Sequence, residues 1–330
     1  SELDRYLFRD PDNEMLNPWY SLFTDTSAYF LTWVAAGEPT LRYESIDNDL
    51  TNLPEKEEWF WDTLRVNFSD AQFSKKYDTD ALVAYSIFDE EEGFASDLTK
   101  LLSQPINLTE ASPNGADGQL KARLVSWRGP NHLEIRLNDN VVFEDADFPP
   151  FHMSTIEFPV ANSDLFNTLQ LQIKGVFNNN NDRYAIVDLS LAYPRKYAFS
   201  GSSVQFGLPL SPQRRYFEVE NQAIAQGSPL MYDIRNRKRL EPEAAGNILR
   251  FVLPEQPNAS AIVLVDAESG INPVVQLHPV SFVDYTSLNP SYLILSHQDL
   301  MDDNVPGGNP VQEYADYRAS EEGGNYQVAI

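Results

Sequence analysis

The stretch "GQLKARLVSWRGPNHLEIRLNDNVVFED", Gly118–Asp145, decides how the chain folds. Leu120, Ala122 and Leu124 are apolar at every second position, the period that turns one face of a strand to a core. "HLEIRLNDNVVFED" then repeats the pattern on either side of Asn138, Asp139 and Asn140, residue types that tolerate the left-handed backbone of a tight hairpin. Downstream, "STIEFPV", "LQLQIKGVF" and "RYAIVDLSLAYPR" have strand character, the last closed by Pro194. Six or so strands without helical crossovers predict a jelly-roll-like β-sandwich over residues 1–199.

Upstream, "WYSLFTDTSAYFLTWVAAGEPTLRY", Trp19–Tyr43, reads as a two-stranded hairpin turning at "AGEPT". Glu55–Lys76 is open between helix (Trp59, Thr63, Val66) and strand (Leu64, Val66, Phe68). Ser96 is placed to cap a short helical turn carrying Leu98, Leu101 and Leu102. After an expected linker, "SGSSVQFGLPLSPQ", the strands "RYFEVE", "LMYDIR", "NILRFVL", "SAIVLVD" and "VVQLHPVSFVDY" predict a small Ig-like β-sandwich at 200–287.

The last segment, 288–330, differs in kind. Tyr292–Leu295 is a continuous apolar run, as in a parallel strand covered on both faces. Asn309 can cap a helix with Pro310 at its first position and Gln312 three residues on, and Gly323 is a candidate C-cap. With Tyr326–Ile330 as a second strand this is a βαβ unit, the opening of a truncated parallel α/β domain, and further chain or another element is expected to cover it.

A formal charge of −25, from 24 Lys plus Arg against 49 Asp plus Glu, disfavours nucleic acid and anionic lipid as partners. No cysteine is present, which excludes thiolate catalysis, thiolate metal ligation and disulfides within these residues. No run approaches the ~20 apolar residues of a membrane span, so membrane insertion is not expected. The N-terminal residues have no signal-peptide character, and the chain is expected to be soluble.

Candidate chemistry is sparse. His132, His152, His278 and His297 have no metal-ligand spacing, and strand or loop roles are expected for the first three. His297 follows the first strand of the βαβ unit, where open α/β sheets place ligand-facing loops. Asp299, Asp302 and Asp303 form a weak candidate calcium set without EF-hand spacing. Asp89–Glu92 would supply a glycosidase acid pair, Trp19 or Trp127 a sugar-stacking face, and no other cofactor is implied. "PGGNP" lacks the Lys and Ser/Thr of a phosphate loop, and the N-x-S/T triplets at Asn67, Asn107 and Asn258 say little about compartment.

Three segments together resemble a known family: "NPWYSLFTDTSAYFLTW" (Asn17–Trp33), "YAIVDLSLAYPRKY" (Tyr184–Tyr197), and "SYLILSHQDLMDD" with "VQEYADYRASEEGGNYQVAI". In this order they are similar to the N-terminal half of gingipain-like cysteine peptidases, closest to the type IX secretion system sortase of Bacteroidetes. Tyr292–Leu295, Tyr317, Arg318 and Gly323 stand where that family opens its peptidase domain. The resemblance implies a β-sandwich region ahead of a caspase-like peptidase whose Cys and His lie further on, so no catalytic residue carries over to this chain. It also implies an extracytoplasmic, surface or outer-membrane-associated parent, with its own downstream peptidase domain and secreted cargo or secretion machinery as partners. Two other readings compete on residues alone: a carbohydrate-binding or adhesive β-sandwich protein, and a glycosidase using Asp89–Glu92.

Overall fold

The structure is a computed structural model describing residues 5, 10, 14–24, 29–38, 42–73, 92–274, 276–281, 289–301 and 308–330. It is mainly β and divides into two compact units, Ser1–Asn272 and Pro273–Ile330.

The first unit contains two sandwiches. One pairs two four-stranded antiparallel sheets. Their orders are Met153–Val160, Gly118–Ser126, Tyr184–Lys196, Trp59–Asn67 and Leu101–Ile106, Leu169–Gly175, Asn131–Leu137, Asn140–Phe148. Leu120, Leu124 and Leu189 from the first meet Leu133, Ile135 and Leu171 from the second in one core, and all six are fully enclosed. Each such side chain stabilises the fold by about 1.5–3 kcal/mol. The hairpin turn lies where the sequence places it, Asn138 and Asp139 taking φ of 49° and 66°. Trp59–Asn67, ambiguous in sequence, is a strand antiparallel to Asp188–Lys196. Pro194 does not end its strand, which runs on to Lys196 with Pro194 opposite Trp61.

The second sandwich has a five-stranded sheet, Glu44–Ser45, Lys238–Leu240, Pro229–Asp233, Ser260–Asp266, Ser203–Leu208. Facing it is a four-stranded sheet, Glu243–Ala245, Ile248–Leu253, Arg215–Glu220, Lys56–Glu57. Its core is aromatic: Phe217 stacks between Tyr197 and Phe251 with ring centroids 5.0 and 5.2 Å apart. Residues far upstream complete both sheets, Glu44–Ser45 pairing parallel with Lys238–Arg239 and Lys56–Glu57 parallel with Tyr216–Phe217.

Several local expectations are corrected. "SSVQFGL" is no linker but the strand Ser203–Leu208, whose Val204, Phe206 and Leu208 alternate into the core opposite Ser260–Asp266. Among the described residues of the expected hairpin no ladder forms over Tyr29–Val34, Tyr29 and Trp33 are 93% and 83% exposed, and a turn is present at Ala36–Glu38. No strand forms over 274 and 276–281, where Val274, Leu277 and Val280 are exposed. Alternation alone does not make a strand, since pairing also depends on packing against neighbours. Ser96 caps no helix: it ends the Gly93–Ala95 strand, and its Oγ accepts the Ile186 amide at 2.9 Å.

The second unit is a parallel β-α-β arrangement. Tyr292–Leu293 pairs with Val328–Ala329 on either side of the helix Pro310–Ala319. Asn309 Oδ1 accepts the Val311 and Gln312 amides at 3.1 and 3.0 Å, so the sequence-derived cap forms with Pro310 behind it. The helix ends at Ser320 rather than at Gly323; the Gly323 Cα lies so close to the Tyr317 carbonyl that a Cβ would come within 1.7 Å of its oxygen. The first strand is not covered on both faces, because one helix covers at most one: Leu293 and Leu295 are exposed.

Candidate functional site

Residues 15–20 form a strap on the outer face of the first sandwich. Leu16 is fully buried in a small cluster with Phe73, Ala95, Val125, Ala185 and Val187. The Asn17 amide donates to Phe94 O at 2.8 Å while its Oδ1 accepts the Trp19 and Tyr20 amides, an Asx turn that bends the strap. Arg123 donates to Met15 O at 2.5 Å, and the Arg65 guanidinium sits 4.3 Å over the Trp19 ring. Beneath them lies Asp188, at a bulge in the Tyr184–Lys196 strand. Burial raises its carboxyl above the ordinary value of 3.8, against the opposing pull of Arg123, a Trp19 hydrogen bond and Arg65. Trp19 is thus a clamp for the strap, held face-on by a cation, rather than a free sugar platform.

Trp127 is half-buried against the same cluster, edge-on to Phe73 at 6.0 Å and to Phe151 at 5.3 Å. It borders a cleft of about 480 Å³ with Gln72, Ser96 and Asp97.

A second polar constellation joins the two sandwiches. Glu57 accepts both prongs of Arg215, Nε to Oε1 at 2.6 Å and Nη2 to Oε2 at 2.5 Å, and also the Tyr197 hydroxyl at 3.1 Å. Burial, with Glu57 adding to it, pushes the Tyr197 phenol far up. Next to it Arg195 pairs with Asp62 at 2.7 Å and lies 4.6 Å over Phe199. Tyr216 donates to Glu218 and its phenol is pushed up to about 12, chiefly by desolvation. Alongside is a polar cleft of about 320 Å³ edged by Lys56, Glu58, Glu110, Lys196 and Glu218. Of the carboxylates that line it, Glu57, Glu58 and Glu218 are bound to cations or a phenol and Glu220 accepts from Asn247, which suits it to bracing.

The histidines stay apart. His132 contacts Glu144 at 2.9 Å and the edge of Phe177, His152 packs against Phe148, and His278 is exposed. His297 is exposed in the loop after Tyr292–Leu293, where its Nδ1 accepts the Asp299 amide at 3.2 Å. Asp302 and Asp303 of the candidate calcium set, and Asp89–Glu91 of the candidate acid pair, lie outside the described residues. Glu92 accepts a hydrogen bond from Gln72. Among the described residues no three His, Asp or Glu gather closely enough to hold a metal, and no helix is long and apolar enough to cross a membrane. The strap and the junction were both invisible in sequence, because their members lie up to 158 positions apart.

No family model and no curated protein matches the chain. Among solved structures it is similar to dimeric latent PorU from Porphyromonas gingivalis, with a TM-score of 0.58 and 12% identity over 87% of this chain. The match spans 27% of the PorU chain, about a quarter of its length. The CUB1-EGF-CUB2 domain of human MASP-1/3 gives a TM-score of 0.19 at 7% identity, covering 52% of this chain and 94% of that one, too low to indicate a common fold. At such identities the PorU likeness shows a similar fold and nothing of its chemistry.

Proposed function

We propose that this chain is the non-catalytic N-terminal scaffold and interaction region of a gingipain-like surface peptidase or type IX secretion sortase, whose parent protein processes the C-terminal signals of secreted cargo. The observation that carries the reading is the order of parts: two β-sandwiches locked at a polar junction, followed by a parallel β-α-β unit capped by Asn309. The residue resemblance of Asn17–Trp33, Tyr184–Tyr197 and the C-terminal segment supports it, as does the fold shared with latent PorU over 87% of the chain. On this reading the sandwiches brace a peptidase domain and present surfaces to cargo or secretion machinery at an extracytoplasmic, surface-associated site.

The complete parent protein, incubated with a cargo bearing its C-terminal signal, is expected to remove that signal, and substitution of its Cys or His to abolish cleavage. A complete protein without a Cys/His pair would remove the peptidase assignment. The carbohydrate-binding reading gains little from Trp127, whose ring is already engaged by Phe73 and Phe151. A glycan array is expected to stay flat, and binding lost on Trp127→Ala would reverse that order of preference.

A further inference from the structure

Arg235, Arg237, Lys238 and Arg239 crowd into five positions of a chain whose formal charge is −25. They lie at the turn joining Pro229–Asp233 to Lys238–Leu240, beside a cleft of about 570 Å³ whose opposite wall is the Pro254–Asn258 loop. The turn is held in shape from below. Asp233, fully buried, accepts the Asn236 amide nitrogen and side chain, and Asn236 Nδ2 also donates to Asn258 O at 3.3 Å, tying the two walls together. Lys238 is paired with Glu44, and Arg239 donates to Ser45 Oγ at 2.8 Å. The Arg235 and Arg237 side chains, which line the cleft, have no partner among the described residues. Glu255 is the one acidic side chain on the cleft wall that is not ion-paired among the described residues.

A second observation is independent of this charge. Gln256 lines the same cleft and is 8% exposed, yet neither its Nε2 nor its Oε1 has a hydrogen-bond partner among the described residues. An enclosed amide with donor and acceptor both unused is unfavourable, and nearly all such groups in folded proteins are satisfied. Its complement is a group presenting an acceptor and a donor side by side, as a peptide backbone amide does. Two unpaired guanidinium forks nearby complement a carboxylate.

We propose that this cleft binds a short acidic peptide segment, its carboxylate on Arg235 and Arg237 and a backbone amide on Gln256. The volume accommodates a few residues. The inference goes beyond the scaffold role and stands whether or not that role is correct.

Fluorescence anisotropy of the 330-residue chain with a labelled hexapeptide of Asp and Glu, against a Gly/Ser hexapeptide of equal length, tests it. The acidic peptide is expected to bind at least tenfold more tightly, to weaken as salt rises, and to lose at least tenfold in affinity with the R235A/R237A variant. The Q256L variant is expected to bind more weakly with Tm unchanged or raised, since it removes an unsatisfied amide. Binding of the acidic peptide that the arginine variant leaves intact, or its absence at millimolar peptide, would overturn the site. Inorganic phosphate displacing the peptide at equal concentration would show a simple anion site instead, and a lowered Tm with unchanged affinity in Q256L would remove the Gln256 contact.

Discussion

The Tyr197 hydroxyl donates to Glu57 across 140 positions of sequence, at 3.1 Å, and so ties the residue that follows the first sandwich's Tyr184–Lys196 strand, its ring already in the second sandwich's core, to that sandwich's edge strand. Glu57 is the hub of this junction and Tyr197 one of its spokes. Tyr197→Phe is expected to cost about 1 kcal/mol, the loss of one hydrogen bond with Arg215 still holding the carboxylate. Glu57→Ala removes the partner of both, leaving the Arg215 side chain, 12% exposed, with only the Pro209 carbonyl, and is expected to cost about 2–3 kcal/mol. Urea unfolding of the two variants measures the difference; equal losses would mean that Glu57 is no hub.

Gly175 lies against Asp182, whose carboxylate accepts the His132 and Phe177 amides and the Tyr184 hydroxyl. A Cβ at position 175 would stand 2.2 Å from the Asp182 carbonyl oxygen, a backbone atom with little freedom to retreat. Gly175→Ala should therefore lower unfolding stability by about 3 kcal/mol, as overpacking does elsewhere. A loss below the error of a denaturant titration would contradict this packing.

Asp188 gives the fold a pH dependence of definite sign. Its carboxyl is raised, so the folded chain keeps this proton where the unfolded chain has released it, and its contribution to stability falls as pH rises from 3.8 through the raised value. Asp188→Asn should flatten that component and leave the protein as stable at neutral pH or more so. Thermal unfolding across a pH series reads this directly, and a steeper fall in the Asn variant would refute it.

Asn309→Ala should take about 1 kcal/mol from the Pro310–Ala319 helix by leaving the Val311 and Gln312 amides uncapped. Faster amide exchange across the helix is the expected sign. Asn309→Asp should restore protection, since aspartate caps equally well and suits the helix N-terminus.

The parts legible in sequence are those whose causes are local. The Asn138–Asp139 turn needs residues tolerant of positive φ, and the Asn309-Pro310 start needs a capping side chain followed by a residue with no amide to satisfy. Ser203–Leu208 is hidden by Ser203, Gly207 and the small residues ahead of it, although Val204, Phe206 and Leu208 carry the period-two signal. The apolar residues around Leu277 carry a similar signal and, among the described residues, form no strand, because strand formation depends on packing against neighbours that one segment cannot report. The strap over Asp188, the Glu57 hub and the cleft between Arg237 and Gln256 were illegible for one reason: each is assembled from segments that meet only through the sheets.

The two sandwiches share a single length of backbone. Lys56–Glu57 is hydrogen-bonded into one and Trp59–Asn67 into the other, with only Glu58 between them. Such a splice leaves no slack for a hinge on that side of the junction. Tension along this stretch would load two ladders in shear at once, so the pair should transmit mechanical force as one stiff element instead of flexing like beads on a linker.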